Sequence, residues 1–433
     1  MLDMLGMTQM SELFSDIPLN VRRELELPLG LSEMEVVGRL SNLLRKNATV
    51  IDTPCFLGAG AYPHYIPSAV GHITSRSEFY TSYTPYQPEI SQGMLQSLFE
   101  YQSMICDLTA MDAANSSMYD GSTALGEAAR MCRRLHKGNR FLIPNTLNKD
   151  KVSVLENYLS GTGVRTLRYD YDPQDGGMIR DDFPALLKNE LCGVYAELPS
   201  FLGIIDPGIM DIKEMIGDIP LVMGVNPICL GLVRPPGEMG ADIVVGEGQT
   251  LGSSMNYGGP LLGLFACRQE HVRKMPGRVV GLTTDNKGQQ AFCLTLQTRE
   301  QHIRRSGATS NICTNEALNA VAAAVYLSIM GAEGLVQLGK RNVERTGRLM
   351  NMLGDLDSIR SPFFEAYHFN EFVIELPMKP EKVNELLLRK GIIGGLPLAE
   401  HIPELSNCML MASTEMHSDE VQDSLIGALK EVL

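Results

Sequence analysis

The sequence predicts an α/β protein with a large domain on a mostly parallel sheet and a small α+β domain after it. Short apolar runs alternate with helical periodicity from residue 91 onward, which is the pattern of βαβ units with right-handed crossovers. Near the carboxyl end, two strand patterns alternate with two helix patterns. A chain of 433 residues is also too long for one small core and suits a large domain plus a smaller one.

Residues 1–70 are predicted to form an N-terminal helical arm. Residues 10–47 have helical character: Ser11 can cap a first short helix, and LSEMEVVGRLSNLLRKN supplies a second. Ser32 is the expected N-cap of that second helix, with Glu35 at the capping-box position. Residues 53–90 are rich in Pro, Tyr, Ser and Thr and show no period. A segment of this length without secondary structure is normally functional or packed on a partner.

Residues 71–330 are predicted to form the large domain. Its first helix follows from apolar residues at helical spacing, namely Met94, Leu98, Tyr101, Ile105 and Leu108. Buried strands are predicted at FLIPNT, GVYAELPS, IPLVMGV and DIVVGEG, with helices between them. An Ala-rich helix spans residues 315–354, with a glycine break at 331–334.

Residues 331–433 are predicted to form the small domain. FNEFVIEL and NCMLMAST are strand patterns. PEKVNELLLRKG is a helix pattern that begins with Pro and ends with Gly, and SDEVQDSLIGALKEVL is a second helix.

Composition excludes several classes of function. The chain has 44% hydrophobic and 20% charged residues, as in an ordinary soluble globular protein. It carries 51 acidic and 37 basic side chains, a net charge of -14, and no basic run of the kind that binds nucleic acid or anionic membranes. The sequence has no uninterrupted apolar run of about 18 residues and does not begin like a signal peptide. We therefore expect a cytoplasmic protein that binds neither nucleic acid nor membrane.

Cysteine and histidine spacing does not indicate a metal site. The nine cysteines are scattered singly without C-x-x-C, which favours reduced thiols over disulfides or zinc ligands. Eight histidines lack H-E-x-x-H spacing. His64 and His72 are expected to be structural or interfacial.

Three motifs combine hydrogen-bonding side chains with predicted loops or helix starts. In MYDGSTALGEAARMCRR, Gly121, Ser122 and Thr123 open a helix and could cradle a phosphate, although a plain capped helix explains them as well. SEFYTSYTPYQPEISQG suits binding of a polar ring or an interface, and a surface arm is the alternative. Its relevant side chains are Tyr80, Tyr83, Tyr86, Gln87, Glu89 and Gln92.

The third motif is LTLQTREQHIRRSGATSNICTNEAL. Its cations lie on a predicted helix and could hold carboxylates or a partner, or form a solvated face; they are Arg299, His302, Arg304 and Arg305. Thr309, Ser310 and Asn311 follow at a predicted turn, where hydroxyl and N–H groups would again open a helix.

The stretch ADIVVGEGQTLGSSMNYGGP predicts a buried strand that runs into a glycine-rich turn. Loops at the carboxyl ends of parallel strands usually carry the reactive groups of α/β enzymes. This turn offers Glu247, Gln249 and Thr250, but no lysine, cysteine or histidine.

Over essentially its whole length the sequence resembles the glycine cleavage system P-protein family, glycine dehydrogenase (decarboxylating), and within it the first subunit of the split two-chain form. The most specific stretches are FYTSYTPYQPEISQGMLQSLFEYQ, VRPPGEMGADIVVGEGQ, KMPGRVVG and LQTREQHIRRSGATSNICTNEAL. Members of the family usually carry additional residues before MLDMLG, so an alternative start is open.

The resemblance implies the type I fold of pyridoxal-phosphate (PLP) enzymes. Such enzymes use a strand-end Schiff-base lysine, an aspartate at the pyridine nitrogen and a phosphate loop at a helix start. By resemblance, Gln249 stands in place of that lysine and Met223 in place of the aspartate. With Gly121, Ser122 and Thr123 they would form a degenerate site that cannot act alone.

The resemblance also implies that this chain completes the pocket of subunit 2, which holds the cofactor covalently. Thr309, supported by Ser310 and Asn311, would reach the phosphate of the partner's PLP. Tyr83, Tyr86, Gln87, Glu89 and Gln92 would line the glycine pocket or the channel for the lipoyl arm of the H-protein. The expected assembly is an α2β2 heterotetramer of the two chains.

Two alternatives stay open. The chain could be a non-catalytic subunit that docks or stabilises the partner chain or the H-protein. It could also be an autonomous PLP enzyme that uses another lysine, such as Lys274 or Lys287.

Overall fold

The structure is a computed structural model that describes residues 1–23, 26–256, 259 and 261–433. The chain divides into two compact units, residues 1–52 and 53–433, and each is described by itself. The finer division predicted from the sequence, at residues 70 and 330, stays a prediction.

In its described residues, the first unit contains short 3-10 turns and one α-helix, α1 at Glu33–Leu44. The predicted capping box of α1 is confirmed, since the Ser32 hydroxyl accepts the Glu35 N–H and the Glu35 carboxylate accepts the Ser32 N–H at 2.8 Å. The prediction for Ser11 is wrong because this residue lies inside the 3-10 turn Met10–Phe14. The carboxylate of Glu12 accepts the N–H groups at the start of that turn instead.

The second unit contains every strand and the remaining helices that the structure describes. The strands are β1 Ala113–Ala114, β2 Arg140–Pro144, β3 Arg165–Tyr169, β4 Leu191–Leu198, β5 Ile204–Ile205, β6 Leu221–Val225, β7 Ile243–Glu247, β8 Gly263–Cys267, β9 Val279–Thr284, β10 Gln290–Thr295, β11 Tyr367–His368, β12 Glu371–Glu375, β13 Leu396–Pro397 and β14 Cys408–Ala412. The helices are α2 Ser68–Thr74, α3 Ser77–Tyr80, α4 Gln92–Thr109, α5 Gly121–Leu135, α6 Lys149–Leu159, α7 Phe183–Leu186, α8 Ile212–Ile216, α9 Gln301–Arg304, α10 Ala317–Gly354, α11 Pro380–Arg389 and α12 Asp419–Val432.

A seven-stranded sheet forms the centre of this unit, in the order β1-β8-β7-β6-β4-β2-β3. The five strands from β7 to β3 in that order run parallel, and β8 pairs antiparallel with β7. The four strands predicted from apolar runs are β2, β4, β6 and β7. Because both faces of the sheet are covered, such strands are apolar along their whole length, and every residue of β6 is buried.

The two faces of the sheet belong to two different apolar clusters. Met223 packs in the larger cluster with Leu98 of α4 and Tyr326 of α10. The preceding residue, Val222, packs in the second cluster with α5 and α6. This alternation follows from the period of two along a strand. The same alternation determines which side chains at the ends of the strands point toward α5 and α6.

The long helix α10 is interrupted at Gly331, where φ is 60° and ψ is -178°, so the predicted glycine break is confirmed. Within the described residues, α10 is the one helix that length and composition would allow to cross a membrane, and 44% of its apolar window is buried inside the protein. A buried core helix of a soluble protein has the same properties, so this observation is weak evidence for a membrane span.

The carboxyl-terminal part follows the predicted α+β pattern. A three-stranded antiparallel sheet, in the order β12-β14-β13, packs with α11 and α12 around an apolar cluster that includes Phe372, Leu387 and Leu425. The first strand of this sheet contains Glu371, a buried carboxylate with 4% exposure.

Candidate functional site

A cavity of about 90 Å³ lies at the carboxyl edge of the parallel sheet. The ends of β4, β6 and β7 and the first residue of α5 form its floor, as expected for ligand sites in α/β sheets. Its charged side chains are Lys151, Glu197, Glu247 and Glu371. Exposed Gly60 forms part of the wall, which places the cavity next to solvent.

The start of α5 is capped from inside the protein. The Gly121 N–H donates to the Glu247 carboxylate at 3.0 Å, and the N–H groups of Gln249 and Leu262 donate to its other oxygen at 2.9 and 3.0 Å. The Thr123 N–H donates to Asp120 at 2.8 Å. Burial raises the pKa of Glu247, although these three backbone N–H groups oppose the rise. The segment from Gly121 to Thr123 is therefore the plain capped helix that the sequence left as an alternative.

A second carboxylate, Glu197 at the end of β4, is only half satisfied. Its Oε1 accepts hydrogen bonds from Lys151 Nζ at 2.8 Å and from the Tyr195 hydroxyl at 3.0 Å. Its Oε2 is buried and has no hydrogen-bond partner within the described part of the chain. Burial acts to lower the pKa of Lys151, but the carboxylates of Glu197, Glu371 and Glu247 together outweigh this effect and the pKa is raised.

The third carboxylate, Glu371, accepts the Ala59 N–H at 2.5 Å and the Tyr62 hydroxyl. Burial raises its pKa to about 7, against the effect of those two hydrogen bonds. Sequence reasoning missed Glu371, Lys151 and Tyr62 as site residues. One signal was available in the sequence. Glu197 lies next to the end of β4 and Glu371 is the first residue of β12, and both strands are mainly apolar.

The residues predicted for the degenerate site surround the cavity only in part. Gln249 lies two residues after the end of β7 and is 3% exposed, but its amide donates to the Ser253 carbonyl and its neighbour Thr250 lines the cavity. Met223 lies in the apolar cluster on the other face of β6, and Gly224 lines the cavity. Among Gly121, Ser122 and Thr123, only the first reaches the wall.

These residues do not fit pyridoxal phosphate. Two N–H groups at the start of α5, those of Gly121 and Thr123, are occupied by Glu247 and Asp120, so a phosphate there would meet two carboxylates. The cavity lysine is on α6 rather than after β7. Three glutamates against one lysine make the cavity acidic.

The aromatic segment forms a second, exposed region. Tyr83 is 76% and Tyr86 47% exposed, and Gln87 and Glu89 are exposed as well. Gln92 differs, because its amide donates to the Phe292 carbonyl at 2.9 Å and accepts the Phe292 N–H at 2.9 Å. Gln92 therefore joins α4 to β10, and its predicted role in substrate binding stays a prediction.

Arg278, which precedes β9 and is 4% exposed, connects the aromatic segment to the loop before α10. Its guanidinium donates to the Tyr86 hydroxyl at 2.9 Å, to Asn315 at 3.0 Å and to the Cys313 carbonyl. The Arg278 Cζ atom also lies 5.3 Å from the centroid of the Tyr86 ring. The structure thus brings together two segments that the sequence singled out separately. Arg278 was missed, although it lies in the KMPGRVVG motif.

The three residues Thr309, Ser310 and Asn311 lie on a loop. The prediction that they open a helix is wrong, because α10 begins at Ala317. The Ser310 hydroxyl donates to the buried Glu127 carboxylate at 2.6 Å and accepts the Ile312 N–H at 3.1 Å, so it is used inside the protein. Thr309 is partly exposed and Asn311 is exposed.

The cationic motif before this loop forms short turns rather than one helix. A 3-10 turn at 297–299, α9 and a 3-10 turn at 305–307 follow one another, and Arg305 has a positive φ of 52°. Arg299 is 9% exposed and donates to the backbone carbonyls of Met275 and Gly277. Arg305 is exposed and, with Arg130, lines an open depression beside Ser310 and Asn311.

The strand order and the two-layer arrangement of helices around the sheet define the type I fold of PLP-dependent enzymes. A sphingosine-1-phosphate lyase from Burkholderia pseudomallei shares this fold with a TM-score of 0.67 at 13% identity, over 97% of this chain and 94% of that one. A crystal structure of glycine decarboxylase (P-protein) of the glycine cleavage system, in inhibitor-bound form, is much more similar. Its TM-score is 0.91 at 37% identity, over 100% of this chain and 97% of that chain.

Sequence comparison narrows this class to one family. The family model "Glycine cleavage system P-protein" matches residues 1–429, and the chain belongs to this family. A relative from Pyrococcus horikoshii is 45% identical over 440 residues, covering 100% of this chain and 97% of its own length. One from Desulforamulus reducens is 48% identical over 421 residues, covering 96% and 94%. Both carry the name "Probable glycine dehydrogenase (decarboxylating) subunit 1".

Proposed function

We propose that this chain is the non-cofactor-binding subunit of a two-chain glycine dehydrogenase (decarboxylating) and completes the active site of subunit 2. The observation that carries the proposal is the capped start of α5, where Glu247 accepts the Gly121 N–H at 3.0 Å. In this proposal, a protein of this fold whose own cavity is acidic uses PLP that another chain holds. Gln249 in place of the Schiff-base lysine is part of the same proposal, since an amide cannot form an imine.

In the proposed reaction, PLP on subunit 2 supplies an electron sink for loss of the carboxylate of glycine. The aminomethyl group then passes to the lipoyl group of the H-protein, which binds transiently. This chain contributes groups that bind and orient. Asn311, two residues after Thr309, lines the same depression as the cations Arg130 and Arg305, and such a set suits an anionic group such as the partner's phosphate.

The aromatic segment is proposed to line the glycine pocket or the channel for the lipoyl arm. Tyr83, Gln87 and Glu89 are exposed, and each can present hydrogen-bonding groups to another chain. Arg278 holds Tyr86 relative to the loop through its 2.9 Å hydrogen bond. The distance between the aromatic segment and the loop before α10 would then be fixed within this chain.

The proposed assembly is an obligate pair with subunit 2, doubled to a heterotetramer. None of the described residues of the first unit is buried, and Leu29, Met34 and Ile51 are 96%, 81% and 90% exposed. An apolar surface of this kind marks an interaction site, and the proposal assigns that surface to the partner subunit. The nine free cysteines support the proposed cytoplasmic location.

The test is glycine–bicarbonate exchange by this chain, by subunit 2 and by the co-expressed pair. We expect exchange only in the pair. Thr309→Ala should lower exchange in a fully assembled pair, whereas Thr283→Ala, at an exposed threonine on β9, should not. Exchange by subunit 2 alone would refute the proposal. Loss of assembly with normal exchange per assembled pair would favour the docking or stabilising alternative.

The autonomous alternative has less support. Lys274 donates to the Arg134 carbonyl at 2.8 Å, and neither it nor Lys287 lines the cavity.

A further inference from the structure

The acidic cavity offers hydrogen-bonding atoms that the protein itself does not pair. The Glu197 side chain is 5% exposed, lines the cavity, and has no partner for Oε2 within the described residues. Thr250 is 3% exposed, lines the same cavity, and its hydroxyl is also without a partner there. A buried carboxylate oxygen or hydroxyl that stays unpaired is destabilising. Both residues therefore require a hydrogen-bonding partner that is not part of the protein fold; Glu197 requires a donor, and the Thr250 hydroxyl can also accept from one.

The charges of the cavity specify the kind of donor. The charge of Glu247 is met by three backbone N–H groups, and Lys151 faces Glu197 at 2.8 Å. Glu371 has no cation within hydrogen-bond distance among the described residues and accepts only from Ala59 and Tyr62. Above pH 7, where Glu371 with its pKa of about 7 is ionised, the cavity thus carries more negative than positive charge. No cluster of metal-binding side chains occurs in the described part of the chain, so an organic cation suits the cavity better than a metal ion.

We propose that this cavity binds the primary ammonium group of a small amine or amino acid, with Glu197 and Thr250 as acceptors. A primary ammonium group has three N–H donors and no acceptor, which matches two unpaired acceptors beside excess carboxylate. Water needs roughly 10–15 Å³ by the same kind of measure, so the 90 Å³ cavity has room for a ligand as small as glycine. The proposal stands whether or not the chain completes a partner's active site.

The test measures binding of methylammonium, glycine and acetate to the full-length chain by titration calorimetry. Methylammonium provides only the ammonium group, glycine adds a carboxylate, and acetate provides only the carboxylate. We expect methylammonium to bind and acetate not to bind. Binding of glycine as well would assign the site to amino acids. Failure to bind glycine would assign it to simple amines.

Two variants locate the binding. Glu197→Gln should weaken methylammonium binding by roughly tenfold or more, the loss expected for a hydrogen bond to a charged group. Thr250→Val keeps the shape of the side chain and breaks no hydrogen bond within the protein, so it tests the site even if the first variant folds poorly. Glu190→Gln, at an exposed position, is the control. No binding of methylammonium at millimolar concentration, or equal binding by wild type and Thr250→Val, would overturn the proposal.

Discussion

Replacing Glu371 by glutamine should change how the stability of this chain depends on pH. In the folded protein burial raises the pKa of Glu371 to about 7, from an ordinary value of 4.5. Because a tenfold change in proton affinity is about 1.4 kcal/mol, the difference corresponds to about 3 kcal/mol. The folded state binds this proton more tightly than the unfolded state. The contribution is therefore fully present below pH 4.5 and is lost as the pH rises through 7.

Urea unfolding of wild type and Glu371→Gln at pH 5 and at pH 8 measures this contribution. The wild type should lose up to about 3 kcal/mol more than the variant between these two values, because glutamine stays neutral throughout. Glu214→Gln, at an exposed glutamate on α8, should behave like wild type. Equal pH dependence of wild type and Glu371→Gln would refute the reasoning that burial governs this carboxyl group.

Three further substitutions test other contacts. Arg278→Met should lower glycine–bicarbonate exchange of the assembled pair, because the variant loses the 2.9 Å hydrogen bond to Tyr86; unchanged exchange would exclude Arg278 as a positioning residue. Ser310→Ala removes the hydroxyl that donates to the buried Glu127 carboxylate at 2.6 Å, so it should lower the free energy of unfolding by about 1–3 kcal/mol. An unchanged free energy of unfolding would contradict the structural role given to this hydrogen bond. Gly224→Ala places a methyl group 2.1 Å from the tyrosine hydroxyl of β4, so thermal unfolding should shift downward, and an unchanged midpoint would contradict the packing.

The strands and long helices could be predicted because their signals are local. Apolar runs identify β2, β4, β6 and β7, and the Ser32–Glu35 pair marks the start of α1 within four residues of sequence. The same holds for the kink of α10, which needs only one glycine with a positive φ.

The cavity could not be predicted in the same way, because its residues come from distant segments. Tyr62 and Glu371 are separated by 309 positions, yet their side chains are hydrogen-bonded. Gln92 and Ser310 were identified by chemical type as binding residues, but their hydrogen bonds are used within the fold. A sequence shows which donors and acceptors are present, whereas their partners depend on tertiary structure. The internal cap of α5 by Glu247 is the clearest case.

The central claim is that the cofactor is held by the partner subunit and not by this chain. Borohydride reduction of the co-expressed pair in the presence of PLP, followed by peptide mass mapping, tests this directly. We predict that the reduced cofactor is found on a lysine of subunit 2 only. Recovery of the cofactor on any lysine of this chain, alone or in the pair, would contradict the account.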